Sequence, residues 1–275
     1  MKKIVLMVIV LLPLTMSAQF LEGGLFLGGS NYMGDLPEGN IEYSETNLAG
    51  GLFIRYNIND YVSVRGGLNL GQISGSDANA DNEAQRARNL SFRSNITEFS
   101  VIPEFNILGF NPYDRIWSPY VFVGLSIYNF NPQAQLDGQW YDLQPLATEG
   151  QGQPGRPSLY NLTQLAIPMG FGVKYAITEY WTVGFLASMR YTFTDYLDDI
   201  STTYADRQEI IDATGVIAAN LANRQGELLG TEPINTPGTR RGSENRDWYV
   251  FSGFTISYNF LDGFGGSKYG CPTNF

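Results

Sequence analysis

Hydrophobic and polar residues alternate along eight segments of this chain. The connections between these segments alternate between long polar stretches and short turns. Each segment has about a dozen residues, which is close to the length that a tilted transmembrane β-strand needs. One set of alternate positions is apolar, and the other is polar or small, as expected when one face meets lipid and the other a narrow lumen. The pattern predicts an all-β fold, an eight-stranded antiparallel transmembrane β-barrel with long extracellular loops.

The alternation also gives the approximate bounds of the strands. Both faces of the fifth strand are rather apolar, so its inward and outward positions are the least clearly separated. Pro103 lies inside the fourth strand and predicts a bulge or a poorly paired position, because proline has no N–H to donate. The eight predicted strands cover residues 20–35, 47–58, 61–74, 92–108, 119–130, 160–177, 181–194 and 247–260.

The connections between the strands differ strongly in length. Residues 131–159 are rich in Gly, Pro and Gln, which predicts a long exposed loop. Residues 195–246 are too many for a bare connection, so we expect a functional loop or a small cap there, with a possible helix within 205–229. An even number of strands places both ends of the barrel beside the short turns, which are periplasmic in outer-membrane barrels.

The first eighteen residues have the features of a cleavable signal peptide. Lys2 and Lys3 precede an apolar run at residues 4–14, and Ser17 and Ala18 are the small residues before a cleavage site. The apolar run is shorter than the roughly 20 residues that a membrane-spanning helix needs. We therefore expect a signal peptide at 1–18, an outer-membrane barrel at 19–260 that includes the 195–246 loop, and a periplasmic tail at 261–275.

A soluble β-barrel or β-sandwich is the alternative to a membrane barrel, and it would turn the apolar positions inward. Two observations favour the membrane barrel: the opposite positions are rich in Gly and Ala, as a narrow lumen requires, and the strands are long. The chain has 31 glycines, 14% aromatic residues and a mean hydropathy of −0.15. Such a mixture suits strands whose two faces differ.

The residue types exclude several kinds of chemistry. The chain has no histidine and a single cysteine, which rules out a Ser-His-Asp triad, a histidine metal site and an intramolecular disulfide. Glu98 and Glu104 share one face of a strand, but six residues separate them by roughly 20 Å, too far for paired acid–base work. A net charge of −10 argues against nucleic acid as a partner. We therefore expect no catalytic residue, metal, cofactor or small-molecule substrate.

Several charged residues occupy positions that should face the lumen. An eight-stranded barrel has room for side chains and not for an aqueous channel, so a network of ion pairs that fills the lumen is favoured over a narrow ion path. The residues of this expected network are Glu22, Arg55, Arg65, Glu98, Glu104, Lys174 and Arg190.

Several segments resemble PorG-type proteins, outer-membrane barrels associated with the type IX secretion and gliding machinery of Bacteroidota. The most specific is GGSNYMGD at residues 28–35; the others lie at 91–105, 118–124, 167–175, 194–201 and 271–272. The loops at about 131–159 and 205–246 show no such pattern. The resemblance implies a non-enzymatic barrel that helps to anchor a periplasmic ring of PorK- and PorN-type proteins beneath the outer membrane.

The tail gives a hypothesis for docking on the periplasmic side. Three glycines at 263–266 form a flexible joint, and the residues that would then dock a partner are Lys268, Tyr269, Cys271 and Pro272. A disordered terminus is the alternative for this segment. For the whole protein, the alternatives are a generic structural or adhesive barrel of the OmpA or OmpX kind, acting through residues 195–246, and a narrow small-solute pore.

Overall fold

The computed structural model describes residues 20–36, 42–230, 236–243 and 245–260. The predicted signal peptide at 1–18 and the predicted tail at 261–275 lie outside these residues. The strands within the described ranges are β1 (Phe20–Met33), β2 (Asn47–Asn57), β3 (Val62–Ser76), β4 (Ser91–Asn106), β5 (Trp117–Val123), β6 (Leu125–Leu136), β7 (Gln139–Asp142), β8 (Thr163–Ala176), β9 (Trp181–Thr192) and β10 (Trp248–Phe260).

The strands close into a ring. β1 pairs with β2 on one side and with β10 on the other, and every pairing in the ring is antiparallel. β5 and β6 follow each other along a single position in the ring, between β4 and β8, and β7 is a short hairpin partner of β6. The ring therefore has eight positions, and the predicted eight-stranded antiparallel barrel is confirmed.

The register fixes the tilt of the strands. A path from each residue to its paired residue on the next strand can be followed once around the barrel. It begins at Phe20 of β1 and returns to β1 at Ser30, ten residues further along. The path runs through Asn57, Ser63, Glu104, Phe122, Gly170, Ser188 and Phe251. With strand spacings of about 4.8 Å and a rise of about 3.3 Å per residue, this stagger corresponds to a tilt of about 40°. Such a tilt is typical of small closed barrels.

The break between β5 and β6 has a clear cause in two prolines. Pro103 of β4 pairs in unbroken register with Val64 of β3, so no bulge forms there. On its other side the ladder stops at Glu104 and resumes at Val101. Gly124 instead donates its N–H to the carbonyl oxygen of Pro168 at 2.8 Å. The poorly paired position expected at Pro103 is thus confirmed, because neither proline has an N–H to complete the ladder.

The outward face carries a continuous apolar band, as the alternation predicted. On β9 this band runs from Trp181 to Tyr191, a distance of about 25 Å along the barrel axis at the tilt given above. Outer-membrane barrels have an apolar band of about this height. The exposed apolar side chains of the band include Leu25, Leu27, Leu52, Ile54, Phe99, Val101, Val121, Leu165, Phe171 and Phe254.

The predicted long exposed loop at residues 131–159 is confirmed only in part, since the mostly exposed loop is limited to residues 152–159. β6 continues to Leu136 and turns into β7, and Leu143 and Glu149 further on are buried. Beyond the apolar band, the outward positions of β6 are polar, with Asn129 and Gln135 exposed to solvent. The apolar–polar alternation therefore disappears where the strand rises above the band, although the strand itself continues.

The long connections fold together into a cap at the end of the barrel opposite the short turns. The helix expected within 205–229 is confirmed as three short helices, since Gly215, at φ 97°, ends the first and begins the second. No helix in the described ranges is long and apolar enough to cross a membrane. The helices of the cap are α1 (Glu83–Arg88), α2 (Arg207–Thr214), α3 (Val216–Ala222) and α4 (Gln225–Leu229).

The outward face can be tested in the middle of β10. Phe254 is 71% exposed on the outside, whereas Ser257 is buried in the lumen. We expect Phe254→Arg to lower the free energy of unfolding from lipid vesicles by about 2–4 kcal/mol, because it places a charge near the bilayer midplane. Phe254→Leu, the matched control, should cost far less. Urea titration of the refolded protein measures both, and equal stability of Phe254→Arg and the parent would contradict a lipid-facing position.

Candidate functional site

Five of the seven predicted lumen residues meet near the short turns, and we call them the turn-end cluster: Glu22, Arg55, Arg65, Glu104 and Lys174. Glu104 is its centre, because Arg55 Nε and Lys174 Nζ donate to its Oε2 at 2.9 and 2.7 Å. Arg65 Nε lies 2.8 Å from the other oxygen without the alignment of a hydrogen bond. Arg55 also donates to Glu22 Oε2 at 2.6 Å. All five side chains are buried.

The turn-end cluster has three cations and two carboxylates, so neighbouring polar groups and rings must stabilise the excess positive charge. Lys174 donates to Asn106 Oδ1 at 3.0 Å and lies 4.4 Å from the centre of the Tyr120 ring. Arg55 lies 5.0 Å from the centre of the Phe53 ring. Cations over aromatic faces are stabilised by the ring quadrupole, more so where water is absent.

The other two predicted residues form a second group further up the lumen. Arg190 Nε and Nη2 donate to the two oxygens of Glu98 at 3.0 and 3.1 Å, a bidentate pair. Tyr249 Oη and Asn69 Nδ2 also donate to Glu98, at 2.8 and 2.9 Å. The seven residues therefore lie in two separate clusters, and Glu98 and Glu104 share no partner in these hydrogen bonds and ion pairs.

Apolar layers separate and cover the two charged clusters. Ile102 and Phe122 are buried with Tyr120 in one small core. A larger core, to which Phe26, Tyr128 and Phe251 belong, fills the upper lumen and continues into the cap. Buried side chains thus occupy the lumen from the turns to the cap, as an eight-stranded barrel allows.

Two arginines hold the loops of the cap together, and the first, Arg241, is buried. It donates to Thr148 Oγ1 at 2.8 Å and to the Asp199 carbonyl oxygen at 2.7 Å, and it lies 3.5 Å from Glu149 Oε1. Glu149 in turn accepts hydrogen bonds from the backbone N–H groups of Ser201 and Thr202. This group connects the loop after β7 to two parts of the long loop between β9 and β10.

Arg88 is the second arginine of the cap. Its guanidinium makes a bidentate ion pair with Asp77, at 2.8 and 2.7 Å, and donates to the Asp35 carbonyl oxygen at 2.8 Å. It also donates to the carbonyl oxygen of Arg241. Arg88 therefore joins the loops after β1 and β3 to the loop that precedes β10, and together the two arginines connect all four long loops.

A tyrosine between two aspartates lies where the barrel meets the cap. Tyr32 Oη lies 2.7 Å from Asp198 Oδ2 and 2.8 Å from Asp247 Oδ1. One hydroxyl proton cannot serve both carboxylates, so the second close contact requires a proton on a carboxyl group. Burial, reinforced by mutual repulsion, raises the pKa of Asp198 well above its usual range, and burial likewise raises that of Asp247. Gly34 is required here, because a Cβ would lie 2.0 Å from Tyr32 Oη.

Sequence patterns contain little indication of this cap network. Its residues lie in loops without periodicity, and the one signal was the acidic residues inside segments 28–35 and 194–201, namely Asp35, Asp195, Asp198 and Asp199. The predicted docking residues Lys268, Tyr269, Cys271 and Pro272 lie outside the described residues. Within the described ranges, no group of three or more Asp, Glu, His or Cys side chains is arranged to hold a metal ion.

The buried acids of the cap make its stability depend on pH. Burial raises the pKa of Asp199 to about 6 and that of Asp195 to about 7, and it raises those of Asp198 and Asp247. An acid whose pKa is higher in the folded state stabilises the fold most below its unfolded pKa of about 4, and this stabilisation is lost as the pH rises. The charges and hydrogen bonds of five neighbours also act on these acids: Tyr32, Asp35, Arg88, Arg241 and Glu149.

We therefore expect amides of segment 194–201 to be roughly tenfold or more better protected from hydrogen exchange at about pH 5 than at about pH 8. Protection factors, corrected for the chemical exchange rate, measure this. Asp198→Asn keeps the shape and removes one buried acid, so it should reduce the difference and increase protection at the higher pH. Protection that is independent of pH, or better at the higher pH, would contradict a shared proton at Tyr32.

The fold is similar to that of several solved structures. Ail, the attachment invasion locus protein of Yersinia pestis, in complex with the heparin analogue sucrose octasulfate, is 11% identical, with 89% of this chain and 100% of that chain covered and a TM-score of 0.42. The outer membrane protein OprG from Pseudomonas aeruginosa is 10% identical, with 89% and 96% covered and a TM-score of 0.38. At such scores the likeness carries no argument about function.

A third similar structure is Neisserial surface protein A, at 10% identity, with 89% of this chain and 98% of that chain covered and a TM-score of 0.39. No curated protein matches the chain. A family model described as a domain of unknown function, DUF6089, matches residues 1–212, which is more than half of the sequence. The chain therefore belongs to the DUF6089 family.

Proposed function

We propose that this protein is a non-enzymatic outer-membrane barrel that acts by binding other components, as an accessory of a type IX secretion machinery that docks a periplasmic ring. The filled lumen carries this proposal. Charged clusters and apolar layers occupy the barrel from the short turns to the cap, and the cap connects all four long loops. A barrel built in this way serves as an anchored scaffold rather than as a conduit.

The outward face supports the place in the outer membrane. Its apolar band is about 25 Å high, and aromatic side chains lie at both of its limits. Trp181 and Tyr258 pack edge to face at the turn end, and Tyr191 and Trp248 do so at the loop end. By the outer-membrane rule, the short turns and both mature termini are periplasmic, and the cap is extracellular.

The charged residues of the lumen support a role without catalysis. Each carboxylate of the turn-end cluster is neutralised by arginine or lysine, and Glu98 is neutralised by Arg190. Catalytic acids and bases need access to a substrate in a concave pocket. These side chains are buried inside the barrel, where their charges hold strands together.

The link to secretion is supported by the segments that resemble PorG-type proteins. Two of them, 28–35 and 194–201, meet at the contact between Tyr32 and Asp198, so the resemblance includes a buried core of the cap and not only the barrel strands. A generic structural or adhesive barrel is the second candidate. It is favoured by exposed apolar side chains on the cap, those of Val216, Ile217 and Leu228.

A closed lumen predicts the electrical behaviour of the protein. Purified protein inserted in planar bilayers should show no single-channel steps at any voltage that the bilayer withstands, because ion pairs and rings fill the lumen. Insertion is verified beforehand by the mobility shift of the unheated protein in gel electrophoresis. Regular, ion-selective steps from correctly inserted protein would favour the small-solute pore instead.

The docking role predicts that the tail and the cap have different effects in cells. Truncation after Leu261 should leave a heat-modifiable barrel in the membrane but abolish cargo secretion and co-purification of the ring proteins. Deletion of residues 205–229, which removes α2 to α4, is the matched control and should leave secretion intact. Normal secretion by the truncated barrel would contradict docking through the tail, and loss of secretion only in the cap deletion would favour an extracellular partner.

The same cells provide a check on orientation. With Cys271 replaced by serine, a cysteine at Asp137 should react with an impermeant thiol reagent in intact cells, whereas a cysteine at Glu179 should not. Asp137 lies in the exposed hairpin between β6 and β7, and Glu179 lies in an exposed short turn. Labelling of the turn position alone would reverse the topology and place the tail outside the cell.

A further inference from the structure

Three aromatic side chains form an outward-facing cluster at the loop end of β9 and β10. The Tyr191 ring packs edge to face against Trp248, with ring centres 4.9 Å apart, and against Phe193, with ring centres 5.3 Å apart. Phe193 is 49% exposed. Tyr191 lies about 25 Å along the axis from Trp181 at the turn end, so the cluster is at the upper limit of the apolar band.

An exposed arginine lies on this aromatic cluster. The guanidinium carbon of Arg246 is 5.6 Å from the centre of the Tyr191 ring and 5.7 Å from that of Phe193. One of its terminal nitrogens donates to Tyr191 Oη, which fixes the orientation of the guanidinium. The adjacent Asp247 points inward, where it accepts from Tyr32 and from the Leu197 N–H. It is therefore turned away from the cation on the cluster.

The arginine at the opposite limit of the band is arranged differently. Arg115 also lies beside a ring, 5.6 Å from the centre of Tyr61, and donates to Tyr61 Oη at 2.9 Å, but Asp60 is 3.9 Å from its guanidinium. Arg93, higher on the barrel, lies 3.5 Å from the centre of the Trp140 ring and donates to Gln133. Arg246 thus differs from Arg115 in its acidic neighbour, since Asp247 is turned inward, and from Arg93 in its position at the edge of the apolar band.

We propose that Arg246, with Tyr191, Phe193 and Trp248, binds the phosphate of a lipid headgroup in the leaflet on the loop side. A guanidinium presents parallel N–H donors that match phosphate oxygens, and here the aromatic rings hold it in place while contacting the upper acyl chain. The tyrosine and tryptophan lie where such amphipathic rings are favoured, at the boundary between hydrocarbon and headgroups. This inference rests on the membrane position proposed above.

The test uses the full chain refolded in phosphatidylcholine vesicles, with Trp117, Trp140 and Trp181 replaced by phenylalanine so that Trp248 alone reports. Its fluorescence is quenched by nitroxide-labelled phosphatidic acid or by equally labelled phosphatidylcholine. We expect a roughly fivefold preference for phosphatidic acid beside Trp248, the effect of one interfacial arginine. Arg246→Gln should bring this preference close to one. Arg86→Gln, which removes the same charge from an exposed position on α1, should leave it unchanged.

The remaining outcomes separate this site from its alternatives. No preference in the parent, or a preference that persists in Arg246→Gln, would overturn the site. A preference abolished by added inorganic phosphate would assign the position to free phosphate rather than to a lipid headgroup. Membrane insertion of the tryptophan-replaced chain and of the unmodified chain is compared by the mobility shift of the unheated protein in gel electrophoresis. If the unmodified chain also fails to insert, the membrane position itself is wrong, and this site with it.

Discussion

Glu104 carries the interaction on which the lower barrel depends, because its carboxylate is the common partner of three cations from three other strands. Arg55, Arg65 and Lys174 reach it from β2, β3 and β8. None of these buried charges can be left without a partner, and removal of one partner from a buried pair typically costs about 3–5 kcal/mol. The cluster therefore ties four strands across the lumen, independently of the hydrogen bonds that run around the barrel wall.

The cap obeys the same constraint with different residues. Its loops have few regular backbone ladders, so buried arginines and carboxylates satisfy the backbone groups that secondary structure would otherwise pair. Arg241 and Glu149 do this for the long loop before β10, and Arg88 does it for the loops after β1 and β3. At Tyr32 two carboxyl groups lie against a single hydroxyl group, and a bound proton completes the balance. The shared proton thus makes the stability of the cap depend on pH.

Because side chains fill the lumen, the outer surfaces of the protein are the places where other molecules can bind. The charged residues predicted from the sequence to face the lumen form ion pairs inside the barrel. The outward face, the turns and the cap remain available to lipid and to other proteins. Arg246 illustrates the difference: its neighbour Asp247 belongs to the buried network, and its own side chain turns outward onto aromatic rings. Two adjacent residues therefore belong to two different environments, the interior of the cap and the edge of the membrane.

The barrel is predictable from the sequence alone, because inward and outward positions alternate with period two wherever lipid lies on one side and the lumen on the other. The alternation also identified all seven lumen charges, from Glu22 to Arg190. The three-dimensional fold shows which of them pair, since partners such as Lys174 and Glu104 are brought together by the register and stagger of distant strands. The fold also shows the full length of β6 and the connections within the cap. The sequence does not predict these, because a strand with two polar faces, or a loop, has no periodic apolar pattern.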